Sequence, residues 1–493
     1  MRLLVSVIGC SLFLVCPEAF AAERKPVAVS GLSAKATADG VKVAWRVPRG
    51  AKWRRVIVEQ RASGNKRWSL AASRPVRTPS ALIRGLAPGV THRIRVRART
   101  ARGLGPARTV SIVPLLVPAG KEHDPPAEPV VPSGTLPLLT INTDNAAPIV
   151  DKENYIDGTW SLDPLATDFE ALSGNLEIRG RGNMTWLAPK KPYRIKLAKK
   201  APLLGMKSNR HFALLADFYD RTSMKNGLAK FFSEFSTLEW TPAVEHVEVV
   251  LNGDYIGLYT LVETVRVDDD RVQDELLFEV DWRWEKEGTP QGWWTTAGVG
   301  VVLKEPEEAE ADEFEEAEEL VQDFEDALMG EDFTEPDIGY RQHINVNSWV
   351  DWILIEELML NADAFLSSTY LSAGEDGKLR LGPMWDHDLT FGEGSGLGPE
   401  NRWIGTKVWH VWAERLLEDP WFADRLRDRW DELRPMIGAA QLHIAELAPY
   451  LAAAAGQSFM RWDPVGPGVG FAEAVANLSN YLDARAEYLD TAL

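Results

Sequence analysis

Residues 382–392 read Gly-Pro-Met-Trp-Asp-His-Asp-Leu-Thr-Phe-Gly, preceded by Asn361-Ala362-Asp363 at the end of an apolar helical pattern, by Tyr370-Leu371 and by a turn at Asp376-Gly377. The pattern sets two acids, Asp386 and Asp388, directly after a short strand and before a glycine-containing loop. Carboxylate oxygens held by rigid backbone suit Mg²⁺ or Mn²⁺ bound jointly with substrate phosphates. An Asp-x-Asp alone is also an ordinary cap or turn, so its meaning depends on what precedes it.

Upstream, Arg179-Gly180-Arg181-Gly182-Asn183-Met184-Thr185-Trp186 forms a glycine-bearing turn whose backbone amides can approach phosphate. The basic strand Lys190-Lys191-Pro192-Tyr193-Arg194-Ile195-Lys196-Leu197 follows, with Tyr193, Ile195 and Leu197 on one side and Arg194 and Lys196 on the other. Helical spacing over 221–237 and 346–361 and a hairpin over 247–265, turning at Asn252-Gly253-Asp254, complete the series. Glycine loop, strand lysine, helix, hairpin, first Asp, second Asp is the order of parts in a protein kinase. Residue by residue the bland alternatives stay open: Lys196 as a solvated strand lysine, Asn183 as a turn former, Arg181 as a surface charge, Asp363 as a helix-end residue bonded to backbone.

Gly180-Arg181-Gly182-Asn183 with Thr185-Trp186, Lys191–Leu197, Leu204-Gly205-Met206, Leu251–Tyr259 and Trp385-Asp386-His387-Asp388 with Phe391-Gly392 together resemble the successive signatures of the CotH family of secreted, spore-coat-type atypical kinases. The resemblance spans residues 138–490 and implies an α+β protein-kinase-like domain with a helical C-terminal lobe. It further implies transfer of the ATP γ-phosphate to Ser or Thr of secreted or surface proteins, with ATP and Mg²⁺ or Mn²⁺ as cofactors. Carried across, Asp363 takes the place of the catalytic Asp and Lys196 that of the phosphate-pairing lysine. Gly180, Arg181, Gly182 and Asn183 become the nucleotide loop, Glu263 ends the hinge beside adenine, and Asp386 and Asp388 hold the metal. One departure stands out: five residues after Asp363, where kinases carry a metal-binding Asn, this chain has Ser368.

The charge is unevenly distributed. Residues 25–119 hold 20 Lys and Arg against Asp39 and Glu59, whereas residues 120–493 hold 32 basic and 68 acidic side chains. The basic part alternates at period two in Val41–Trp45, Val56–Glu59 and His92–Arg99. With Leu86-Ala87-Pro88-Gly89 ahead of its late strand, it resembles a fibronectin type III domain, an all-β immunoglobulin-like sandwich, over residues 26–116. Its arginine row is either a solvated face that discourages strand pairing or a contact for an anionic surface, a glycan or the chain's own acidic domain. A Pro-rich linker covers 117–137. Residues 305–326 carry thirteen acids and no base, yet Phe314, Ala317, Val321, Phe324 and Leu328 make one apolar stripe, which predicts a helix with a solvated acidic back.

Residues 1–21 have Arg2, an apolar run and Ala19-Phe20-Ala21, the pattern of a cleaved signal peptide, which predicts secretion or a cell-surface or periplasmic location and no transmembrane segment after processing. Both cysteines, Cys10 and Cys16, fall inside it, so the mature chain is expected to use no disulfide and no thiol chemistry. Scattered His residues and the absence of Gly-x-Ser-x-Gly argue against a zinc hydrolase and an α/β-hydrolase, and nothing indicates nucleic acid as a partner. The competing class is a catalytically inactive kinase fold serving in binding or adhesion at the cell surface.

Overall fold

Alternating side chains in the first hundred residues pair into two sheets, and mixed periodicities beyond residue 130 build a barrel, a second sheet and a helical layer. The computed structural model describes the chain apart from residues 1–27, 38–39, 49–52, 54, 63–66, 77–78, 84–85, 87–90, 101–102, 113–129, 166, 362, 393–397, 402–410 and 463–469. The expected signal peptide with Cys10 and Cys16, most of the linker, and Pro88-Gly89 lie outside the described residues. The chain divides into two units, Met1–Pro114 and Leu115–Leu493.

The first unit contains β1 (Ser30–Thr37), β2 (Gly40–Arg46), β3 (Arg55–Ala62), β4 (Ser69–Pro75), β5 (Ser80–Ile83), β6 (His92–Thr100) and β7 (Gly103–Ile112). Its sheets run in the orders β1-β2-β5 and β4-β3-β6-β7. Val41, Val43, Trp45 and Ile83 from one sheet and Val56, Val58, Ile94 and Val96 from the other close a single core. That is a β-sandwich. It follows directly from period-two alternation, which gives each strand one apolar face to bury.

The second unit opens with β8 (Leu138–Thr143), β9 (Ile156–Asp163), β10 (Leu172–Gly180), the short α1 (Met184–Leu187), β11 (Tyr193–Ala201) and β12 (Asn209–Leu215). Next come α2 (Lys225–Ser233), β13 (Val244–Leu251) and β14 (Asp254–Glu263). These seven strands close a barrel in the order β10-β11-β12-β14-β13-β8-β9. Tyr193, Ile195 and Leu197 fill its interior, as the alternation of the basic strand requires.

Then follow β15 (Leu276–Val280), α3 (Trp284–Glu287), β16 (Gly292–Trp294), β17 (Gly300–Glu305), α4 (Ala311–Met329), α5 (Val346–Met359), β18 (Thr369–Ala373) and β19 (Arg380–Leu381). The strands form a second sheet, β16-β17-β15-β18-β19. The helical C-terminal region is α6 (Val411–Leu416), α7 (Pro420–Leu433), α8 (Met436–Trp462) and α9 (Phe471–Ala492). The acidic stretch forms α4 as its stripe predicts: Ala317, Val321, Phe324 and Leu328 are buried and the acids mostly face out.

α5 is buried on nearly every side, and the acids it carries inward are answered by partners. Asp351 binds Arg429 at 2.6 Å, Glu356 meets His387 at 3.0 Å and Glu357 binds Arg485 at 2.7 Å. Pairing of this kind is what keeps a buried charge tolerable. α8 lies close against the barrel at Gly257, whose φ is +102°; a Cβ there would meet Ser458 Oγ at 2.8 Å. Among the described residues no helix is long and apolar enough to cross a membrane.

Candidate functional site

A cavity of about 450 Å³ opens between the barrel and the second sheet. The β10–β11 turn contributes Arg181, Gly182 and Asn183, β11 contributes Arg194, and the chain leaving β14 contributes Thr264 and Val265. From the other side come Glu279 and Asp281, Lys304, Asp363, Ser368, Asp386 and Asp388.

One wall is cationic, and strand register makes it so. Antiparallel pairing of β10 with β11 sets Arg179 directly opposite Arg194. Like charges directly opposite one another destabilise a sheet. Among the described residues neither arginine has a carboxylate within ion-pairing distance, and Nε of each is buried without a hydrogen-bond partner. Arg179 is held by the Lys152 carbonyl and lies 4.9 Å from the Tyr155 ring. Burial lowers the Arg194 pKa, and Tyr155, Arg179 and Arg181 act on it in turn. Arg181 rests 5.3 Å from the Trp385 ring, while Asn183 Oδ1 accepts a 3.0 Å bond from Lys152 Nζ.

The opposite wall is anionic. Asp363 follows α5; its backbone amide donates to Asn361 Oδ1 at 3.0 Å and its carbonyl accepts from Leu366 and Ser367, so the backbone is fixed while the carboxylate faces the cavity. Burial, then the neighbouring Asp386, push the Asp363 carboxyl up to about 6, against an opposing pull from Arg283. Burial and Asp386 likewise raise Asp388 well above the usual carboxylate range. Asp386 Oδ2 accepts a 3.1 Å bond from Ser368 Oγ. The residue standing where an Asn was expected therefore touches the second Asp.

Three neighbours hold the 386–390 segment. Lys225, at the start of α2, donates to the carbonyls of Asp388 (3.1 Å) and Thr390 (3.3 Å). Asn226 accepts the His387 amide at 3.0 Å, and the His387 ring reaches Glu356. The tethers sustain an unusual backbone: Leu360, Phe365, Ser368, Asp386 and Phe391 all have φ between 50° and 65°. Such a conformation costs a non-glycine residue roughly 1–3 kcal/mol and persists only where surroundings over-determine it.

Of the residues singled out in the sequence, Arg181, Gly182, Asn183, Asp363, Asp386 and Asp388 come together in the cavity, and Gly180, Lys196 and Glu263 lie outside its lining. Lys196 sits opposite Glu177 in the same strand pair and is drawn to it at 2.9 Å. The basic side chain of that strand that does line the cavity is Arg194, two residues earlier on the same face. Gly180 cannot offer its amide to a ligand because it is bonded to the Asp151 carbonyl at 2.9 Å. Its lack of a side chain serves packing: a Cβ would meet the Trp186 ring at 2.5 Å. Glu263 is buried and accepts from the Ala243 amide at 2.9 Å, leaving Thr264 and Val265 to border the cavity.

Sequence reasoning also missed Glu279, Asp281, Arg283 and Lys304. Lys304 pairs with Glu279 at 3.1 Å across β15 and β17, and Arg283 with Asp281 at 3.1 Å. No local motif marks these residues, because sheet pairing alone brings them to the site.

A family model described as CotH kinase protein matches residues 177–489, well over half of the chain. The chain belongs to the CotH kinase family. The matched span includes every cavity residue from Arg179 to Leu389. No curated protein matches this CotH chain. Solved structures match it over short stretches. A myokine structure is 17% identical, covering 18% of this chain and 99% of that one, with a TM-score of 0.17. A human FNIII domain is 23% identical, covering 24% and 96%, with a TM-score of 0.18. The spore cortex lytic enzyme SleM of Clostridium perfringens is 18% identical, covering 18% and 28%, with a TM-score of 0.16. At those TM-scores the likenesses carry no weight.

Proposed function

We propose that this protein is an exported atypical kinase with a protein-kinase-like second unit, transferring the γ-phosphate of ATP to Ser or Thr hydroxyls of secreted or surface proteins. The observation that carries the proposal is the division of one cavity into a wall of half-buried arginines, with no carboxylate partner among the described residues, and a facing wall of desolvated carboxylates. Polyphosphate needs the first wall and a divalent cation the second. Family membership supports the same class of chemistry.

Arg179, Arg181 and Arg194 would hold phosphate oxygens, with Arg194 in the role first assigned to Lys196. Asp363 would orient the acceptor hydroxyl and take its proton as the new oxygen–phosphorus bond forms and the bond to ADP breaks. A carboxyl held at about 6 is well matched to that exchange near neutral pH. A pair of carboxylates, Asp386 and Asp388, is a donor set that suits Mg²⁺ or Mn²⁺. These cations take one or two carboxylates and complete their shell from phosphates and water. Asp386 and Asp388, with Ser368 alongside, would supply the protein's share. Bound there, the cation would neutralise charge on the phosphates as it is transferred.

The first unit we read as a fibronectin type III-like domain, joined to the kinase unit by the Pro-rich linker and exported with it through the N-terminal signal.

The test is transfer of labelled phosphate from ATP to the protein itself and to a Ser-rich acceptor, with calorimetric binding of ATP in Mn²⁺ and in Mg²⁺. Asp386→Ala should abolish metal-dependent nucleotide binding. If the wild-type protein binds no nucleotide in either metal, the kinase proposal fails and a non-catalytic binding role replaces it.

A further inference from the structure

The outer face of the β4-β3-β6-β7 sheet in the first unit is laid out as an arginine ladder. Register pairs Arg55 with Arg99, Ile57 with Arg97, Glu59 with Arg95 and Arg61 with Arg93. The alternate residues Val56, Val58, Ile94, Val96 and Ala98 are buried inward, so all of those pairs face out. Six guanidinium groups thus share one surface with a single carboxylate, Glu59, which is engaged by Arg95 through two 2.7 Å bonds.

Two features separate this face from a merely solvated edge. Trp68 is placed between two rungs, with the Arg95 guanidinium 4.2 Å and the Arg61 guanidinium 4.9 Å from its ring centroid. Ile57, although on the outer side, is only 7% exposed, as expected where long aliphatic stems lie over an apolar residue. The Arg61 and Arg95 guanidinium groups are therefore held by packing. Arg93 and Arg99 remain exposed with no ion-pair partner among the described residues.

We infer that this face binds a linear polyanion bearing sulfate or phosphate groups. Rungs recur about every 6.8 Å along a strand and adjacent strands lie about 4.8 Å apart, a flat track that engages successive charges on a chain. Arginine rather than lysine at all six positions favours oxyanions, which a planar guanidinium grips through two parallel bonds. A lipid surface is the weaker fit. In this unit the only large apolar side chain among the described residues that stands exposed is Leu104, paired with Arg99 at one end of the ladder, so the face offers a membrane a single apolar side chain.

The experiment uses the full chain and measures binding, at about 0.15 M salt, to a sulfated polysaccharide (heparin), to linear polyphosphate, and to vesicles containing anionic lipid. The triple variant Arg93→Ser, Arg97→Ser, Arg99→Ser should lose about tenfold or more in affinity, the scale of several released counterions. A charge-matched control, Lys35→Ser, Lys42→Ser, Arg46→Ser, removes exposed cations of the opposite sheet and should lose no more than about threefold. The conservative triple Arg93→Lys, Arg97→Lys, Arg99→Lys guards against misfolding and should fall between wild type and the serine triple. Preference for heparin or for polyphosphate identifies the natural anion, and either supports the inference. Equal losses in the serine triple and the control, no binding to either polymer, or binding to vesicles alone overturns it.

Discussion

Replacing Asp363 by Asn should stabilise the ligand-free protein and disable it. In the fold this carboxyl titrates near 6 against an ordinary 3.8, because it is buried beside Asp386 with Arg283 only partly compensating. Holding it ionised above that range costs about 3 kcal/mol, at 1.36 kcal/mol per pKa unit. The sign follows from proton counting. Its folded pKa lies above the unfolded one, so between about 3.8 and 6 the folded state binds the extra proton, and stability falls as pH rises through that window. Below it Asp and Asn are both neutral in both states and the two proteins should unfold alike. Above it the Asn variant should be more stable by up to about 3 kcal/mol, a melting-temperature rise of roughly 3–6 °C for a unit of this size. Thermal unfolding of both proteins at pH 4 and pH 7.5 measures the difference, and phosphate transfer, expected to drop about 100-fold or more, is measured alongside. A destabilised variant at pH 7.5, or the same gain at both pH values, would refute the electrostatic account of this residue.

Arg194→Met should weaken ATP binding by about tenfold to a hundredfold, the worth of a lost charge-assisted hydrogen bond, whereas Lys196→Met, which removes a half-exposed pair with Glu177, should leave it within about twofold; calorimetric titration of both variants distinguishes the two strand cations. Ser368→Asn should tighten Mn²⁺ binding in the presence of ATP by a few fold, because a carboxamide oxygen is a harder ligand than a hydroxyl and Asn accepts the φ of 55° at that position better than Ser does; Mn²⁺ titration followed by electron paramagnetic resonance reads this directly.

Much of the architecture was legible because it rests on periodicity. Alternation in Val41–Trp45 and His92–Arg99 gave the sandwich strands, the 314–328 stripe gave α4, and Asn252-Gly253 gave the hairpin turn between β13 and β14. The acids of the site were legible for a different reason: Asp363, Asp386 and Asp388 sit in short motifs whose local backbone already constrains them. What stayed hidden depends on partners distant in sequence. Arg194 and Lys196 share a face and a charge, and only the register that gives Lys196 a glutamate opposite and Arg194 an arginine opposite separates them. Glu263, expected at a hinge, closes β14, and its side chain accepts from the Ala243 amide and lies outside the cavity lining. Gly180 looked like a phosphate-binding glycine, but its role is set by Trp186 lying against it, a contact no spacing rule predicts.

These discrepancies share a physical origin. A residue paired within the fold, as Lys196 is with Glu177, needs nothing from a ligand, whereas Arg179 and Arg194 oppose one another with buried Nε groups unpaired. The facing carboxylates are no better off, since burial and then Asp386 raise both Asp363 and Asp388. Each wall destabilises the fold by itself, and the loop carrying the second wall is further strained at Ser368 and Asp386. The Lys225, Asn226 and Glu356 tethers hold that loop in place, so the repulsion is not relieved by rearrangement. It is relieved when negative charge meets the arginines and positive charge meets the acids, which is the charge pattern of a metal–polyphosphate. Binding such a group should therefore stabilise this unit.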